Sequence, residues 1–138
     1  MKKILIPIDG TERSQKSLDF ILHNFSSDEV EIVLITVSDI SLTNITNPMI
    51  IDMNIEKSQK EASNMLEIFK NKLQGYKVEK YWTFGDPGKE IILKSIEGKF
   101  DEIIMTKSTK KNFIDSIGSV TLYVVKKSKC TVTIVPEY

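Results

Sequence analysis

Few residues of this chain are suited to chemistry. Asp9 closes the apolar run KILIPID (residues 3–9) and is followed at once by Gly10. A carboxylate there can accept hydrogen bonds from ribose hydroxyls, or it can serve only to organise the turn that follows. Far along the chain, Gly118-Ser119 falls where a helix begins. The first turn of a helix presents unpaired N–H groups and the positive end of its dipole, a natural seat for phosphate. Glycine lets an anion approach closely and Ser119 adds a hydroxyl, yet the same pair suits an ordinary serine-capped turn. Val37, at the end of a second apolar run, can line one side of a flat ring or be plain core. The residues alone leave each of these alternatives open.

Other chemistries lack their residues. There is no GxxxxGK[ST] run and no GxGxxG, so the common phosphate-cradling loops are absent from the sequence. The only histidine, His23, falls late in a helical segment, so neither a histidine-based metal cluster nor a Ser-His-Asp triad can be built. A phosphoacceptor receiver domain would need an acidic pair after the first strand and an aspartate after the third. Here Asp9 stands by itself, and Asp86 sits inside a Gly-Asp-Pro-Gly turn. Tyr81 and Trp82 read as packing or interface residues.

Charge and cysteine content point the same way. The chain holds 19 Lys+Arg against 19 Asp+Glu, so no overall field draws it to nucleic acid or a membrane surface. Lysines 99, 107, 110, 111, 126, 127 and 129 give the C-terminal third a local positive excess, read either as a solvated face or as an anion site. Cys130 is the single cysteine; it permits no intrachain disulfide and suggests a reducing compartment. It lies in KCTVTIV, expected to be a buried strand in which a free cysteine acts as a small hydrophobe. The apolar run near the N-terminus is too short for a signal peptide or a membrane span. The expectation is a soluble cytoplasmic protein.

These groups need a frame, and hydrophobic periodicity supplies one. Residues 3–9 and 30–37 are apolar runs of the kind found in central parallel strands. Between them Leu18, Ile21, Leu22 and Phe25 recur at helical spacing, with Thr11 as a cap. Residues 38–51 show no period, and Asn44, Asn47 and Pro48 read as breakers of a surface loop. A longer helix is expected over 52–73, with Ile55, Ala62, Leu66, Phe69 and Leu73 on one face. Residues 76–84 alternate as an edge-type strand. A helix follows Pro87 and stops at Gly98. Residues 100–105 form the fourth strand, 119–127 a helix and 130–135 the last strand. The order β-α-β-α-β-α-β-α-β describes one α/β domain over residues 1–138, a parallel sheet with helices on both faces. In such sheets ligands sit beyond the carboxyl ends of the strands where strand order reverses. That rule selects the neighbourhoods of Asp9, Val37 and residues 105–120.

Four segments in order, ILIPIDGTERSQKSL, VLITV, FGDPGKEII and DEIIM…GSVTLYVVKKSKCTVTIV, resemble the universal stress protein family over essentially the whole chain. The resemblance implies an open, Rossmann-like five-stranded sheet of order 3-2-1-4-5. It also implies a homodimer paired through the last strand, which runs from Cys130 at residue 130 to Val135 at residue 135. The family divides into members that bind ATP and members that do not; binders carry G-x-x-G, nine residues, then G-S/T. Counted back from Gly118, the two glycine positions fall on Met105 and Ser108; with a loop one residue shorter the first falls on Thr106. No alignment supplies a glycine. What carries over is Pro7, Asp9 and Val37 on the ribose and adenine side, and Gly118, Ser119 and Val120 on the phosphate side.

A side chain forced into a glycine-type backbone costs about 1–2 kcal/mol. Two such replacements correspond to about one to three powers of ten in affinity. The resemblance therefore implies a non-enzymatic, dimeric stress-response protein with weak or no ATP binding. The alternative is an ATP-binding switch, with Mg2+ present only where ATP is bound.

Overall fold

The computed structural model describes residues 1–38, 47–107 and 118–136. Strands β1 (Lys2–Pro7), β2 (Val30–Ser38), β3 (Lys77–Phe84), β4 (Glu102–Thr106) and β5 (Thr131–Val135) alternate with helices α1 (Glu12–Asn24), α2 (Pro48–Asn71), α3 (Pro87–Glu97) and α4 (Ser119–Lys127). All pairings are parallel, in the order β3-β2-β1-β4-β5. The expected architecture is therefore the observed one.

Alternation along the strands divides the core in two. Ile4, Ile6, Ile32, Leu34 and Ile104 face α1 and α2, meeting Leu18, Ile21, Leu66 and Phe69. Leu5, Ile35, Ile103 and Met105 face α3 and α4, meeting Ile91, Ile92 and Val124. Central strands covered on both faces carry apolar residues at successive positions, which is why the runs in β1 and β2 read so clearly. The order reverses between β2 and β4 around β1, and the carboxyl ends of these three strands open onto a common crevice.

Several local expectations need correction. Helix α2 begins at Pro48, not at residue 52. Asn47 is its N-cap, accepting from the Met49 N–H at 2.9 Å, and Pro48 takes the first helical position. Two of the three presumed loop-breakers, Asn47 and Pro48, are thus a helix start, since proline at N1 lacks only an N–H that would have gone unpaired. Residues 39–46 lie outside the described residues. Leu22 is not inward: it is 48% exposed, because α1 buries a narrow stripe of Ser14, Ser17, Leu18 and Ile21. Phe25 sits past the helix end as its C-cap residue, and Ile55 is only half-buried. Thr11 occupies the N-cap of α1 but makes no side-chain cap; its hydroxyl is bound to Asp9 instead. Cys130 precedes β5 rather than lying in a buried strand, and Val132, Thr133 and Ile134 are half-exposed. The reason is topological. β5 pairs with β4 alone, so it is an edge of the sheet.

Candidate functional site

The crevice at the strand ends is a cleft of about 240 Å³. Its lining includes Pro7, Asp9, Val37, Met105, Thr106 and Val120, six of the nine residues the sequence singled out. Gly118 and Ser119 stand just before Val120 at the amino end of α4. Ser108 lies outside the described residues. Pro87 and Ile91 of α3 form a further wall.

The turn after β1 settles how Asp9 is used locally. Its Oδ1 accepts from the Thr11 N–H at 3.0 Å, the Thr11 hydroxyl at 2.6 Å and the Ser14 hydroxyl at 2.8 Å. Ser14 Oγ in turn accepts the Asp9 N–H at 3.0 Å. One carboxylate oxygen is therefore saturated by the turn. The other, Oδ2, meets among the described residues only Arg13 Nη2, at a long 3.3 Å, and half of the side chain remains open to solvent. The two readings of Asp9 concern different atoms: Oδ1 builds the turn, and Oδ2 is free to accept from a ligand hydroxyl. Partial burial pushes the carboxyl pKa up, but hydrogen bonds from Thr11 and Ser14 and the Arg13 charge outweigh it and hold the value below the usual range. Asp9 is thus an ionised, acceptor-only group at neutral pH.

Gly10 lets this turn close. It adopts φ +81, and a Cβ there would stand 2.7 Å from Met65 Sδ. The positive φ favours glycine, whereas the Met65 side chain near this position is flexible and can give way.

At the far side of the cleft α4 starts from Gly118, whose φ of −61 is open to any residue. Gly118 is consequently not needed for backbone conformation. No side chain caps this helix end among the described residues, so its first N–H groups face outward with the dipole behind them. Thr121 ties the helix to β4 by donating to the Thr106 carbonyl at 3.4 Å.

The glycine-equivalent positions of the phosphate loop fare differently. Met105 is a ladder residue opposite Ile134 and is buried in the core; Thr106 pairs with Val135. Both belong to β4, so an open phosphate-wrapping turn cannot begin before Lys107.

Other singled-out residues have structural roles. Asp86 caps α3, accepting the Lys89 N–H at 3.1 Å, which removes the receiver-type reading of that carboxylate. Trp82 Nε1 donates to Ser38 Oγ at 2.8 Å, and Tyr81 lies under Lys94 at 3.9 Å. His23 is exposed in the last turn of α1. At the opposite, amino end of the sheet a cleft holds Lys3, Glu31 and Lys77, but Lys77 and Glu31 pair with each other at 2.9 Å. Among the described residues no group of three or more His, Cys, Asp or Glu could hold a metal ion. None of their helices is long and apolar enough to cross a membrane.

The sequence reading missed two contributors. Ser14 is the reciprocal partner of Asp9. Thr36 was hidden inside an apolar run; a lone hydroxyl between Ile35 and Val37 was its only signal.

An α/β sheet with a cleft of this kind at its switch point defines a Rossmann-like α/β class. Within that class, the universal stress protein family model matches residues 1–136: the chain belongs to the universal stress protein family. Among solved structures it is similar to the hypothetical protein MJ0577, at 27% identity and TM-score 0.82, covering 98% of this chain and 95% of that one. It is also similar to the universal stress protein UspA from Lactobacillus plantarum, at 18% identity and TM-score 0.77, covering 97% of each chain. A third is a universal stress protein family protein from Arabidopsis thaliana with AMP bound, at 16% identity and TM-score 0.73, covering 99% of this chain and 92% of that one. None of the curated proteins matches the sequence.

Proposed function

We propose that this protein is a non-enzymatic cytoplasmic stress-response protein, active as a homodimer through β5, that holds an adenine nucleotide by its nucleoside half and grips a triphosphate tail weakly. The observation that carries this reading is the unequal state of the two ends of the cleft. Asp9 Oδ2 is ionised and accessible beside an apolar wall of Pro7, Val37 and Met105. On the phosphate side, the positions where the family's ATP binders have glycines carry side chains, and the first of them, counted as Met105 or as Thr106, is committed to the β4 ladder.

The remaining phosphate element is the amino end of α4. One helix start can hold a single phosphate, and that is enough for a nucleoside monophosphate. The AMP bound to the Arabidopsis relative supports this assignment. A non-enzymatic role is supported by membership of the universal stress protein family.

The homodimer is supported by the edge position of β5, whose half-exposed Val132 and Ile134 leave an apolar strand uncovered.

The test is replacement at each end of the cleft, read by calorimetry. Asp9→Ala should abolish AMP binding. Ser119→Trp should weaken AMP and ATP by the same factor. Retained AMP affinity in Asp9→Ala would contradict the reading.

The second reading, an ATP-dependent switch, is favoured by the amino end of α4, which no side chain caps among the described residues. It requires Ser119→Trp to remove ATP binding selectively.

A further inference from the structure

Met65 of α2 stands directly behind the turn that carries Asp9. Its Sδ lies against Gly10, so close that a Cβ on that residue would be 2.7 Å away. Gly10 is the middle residue of the loop that Asp9 Oδ1 closes by accepting from the N–H and hydroxyl of Thr11. The thioether therefore backs the loop that aims the carboxylate.

Met65 also borders two open spaces. On one side lies a groove of about 700 Å³ between α1 and α2, shared with Gln15, Ile68, Phe69 and Lys72. On the other lies a recess of about 260 Å³ that Asp9 also borders. The residue is half-buried and packs against the core cluster beneath α1 and α2. The other four methionines are placed differently. Met1, Met49 and Met53 are exposed, and none of them borders the cleft or these two spaces. Met105 borders the cleft but is only 4% exposed. Met65 combines a path from solvent with a contact on the Asp9 turn.

Peroxides oxidise a thioether to the sulfoxide. One oxygen atom passes to sulfur, the O–O bond breaks, and hydrogen peroxide leaves as water. The sulfur gives up two electrons to the peroxide, and no side-chain proton is lost. The product is larger and polar, and both changes work against its place. An added oxygen has no room on the Gly10 side, and an S=O group is poorly housed against an apolar core. Because the side chain is flexible, the sulfoxide turns into the groove and the Asp9 turn loses its backing. We propose that Met65 is an oxidation site through which peroxides lower nucleotide affinity, by withdrawing the side chain that supports Gly10 and Asp9. This rests on the nucleotide reading above and adds a control of that same site.

The test treats the wild type and Met65→Leu with hydrogen peroxide, locates sulfoxides by peptide mass spectrometry and measures AMP binding by calorimetry. Leucine fills nearly the same volume and carries no sulfur. In the wild type Met65 should be converted, and AMP should bind about threefold to tenfold more weakly. The reductases for both sulfoxide epimers should restore the affinity. Met65→Leu should show the same AMP affinity before and after peroxide, even with Met49 and Met53 oxidised. An equal loss in both proteins would place the effect at another methionine and overturn the proposal. So would a sulfoxide at Met65 with unchanged affinity, or an intact Met65 once Met49 and Met53 are converted. Each of these outcomes spares the nucleotide reading. Failure of the untreated wild type to bind AMP would overturn both.

Discussion

Ser14 and Asp9 hydrogen-bond each other twice: the serine hydroxyl donates to Asp9 Oδ1 at 2.8 Å and accepts the Asp9 N–H at 3.0 Å. This closed pair fixes the carboxylate at the end of β1 before any ligand arrives. Removing the hydroxyl leaves the Asp9 N–H without its acceptor and takes one donor from Oδ1. Ser14→Ala should therefore lower stability by about 1–2 kcal/mol, read from urea denaturation. AMP affinity should fall too, though less than in Asp9→Ala, since Thr11 still holds Oδ1.

The same cluster predicts a pH dependence. The Asp9 carboxyl is held below its ordinary value of 3.8 in the folded protein. A group depressed on folding contributes stability that is fully present above the unfolded value and is lost as pH falls through the folded one. Acid unfolding of Asp9→Asn should thus show a shallower loss of stability below about pH 4 than the wild type, with parallel curves from pH 5 to 8. Parallel curves over the whole range would show that Asp9 makes no such contribution.

Packing of α3 on α4 gives a third prediction. A Cβ at Gly88 would stand 2.8 Å from the Tyr123 ring, so the two helices meet at glycine contact. Gly88→Ala should destabilise the protein by about 1–3 kcal/mol through overpacking. By shifting α4 it should also weaken AMP. Unchanged thermal unfolding would mean that Tyr123 rotates away at no cost.

The edge strand gives a fourth. Ile134 is half-exposed on β5, and a charge there should oppose strand pairing between two copies. Ile134→Lys should convert a dimer to a monomer by light scattering while far-ultraviolet circular dichroism stays native. Persistence of the dimer would move the interface elsewhere.

How legible the molecule was follows from what each residue answers to. β1, β2 and β4 were plain because strands buried on both faces admit almost nothing but apolar residues. Gly98 and Pro87 bounded α3 through backbone rules that hold in any context. The start of α2 was misread because Asn47-Pro48 serves equally as a loop or as a cap with proline at N1, and only the presence of a helix beyond decides. Leu22 failed because helical spacing tells which residues share a face, not how wide a stripe the sheet covers. At the site, Asp9 and Val37 were visible from strand ends, and Val120 came only with the family resemblance. The division of labour between the two oxygens of Asp9 was not, since it depends on Ser14 and Arg13 folding back over five residues. Thr36 was illegible for a similar reason: only the folded sheet brings its side chain to the wall of the cleft.

The central claim is that the nucleoside half, not the polyphosphate, holds the ligand. Titration calorimetry of the wild-type protein with adenosine, AMP and ATP in turn tests it most directly. The account predicts a gain from adenosine to AMP, for the single phosphate at α4, and no more than about a threefold gain from AMP to ATP. An ATP affinity ten or more times that of AMP would contradict it, as would no measurable binding of AMP.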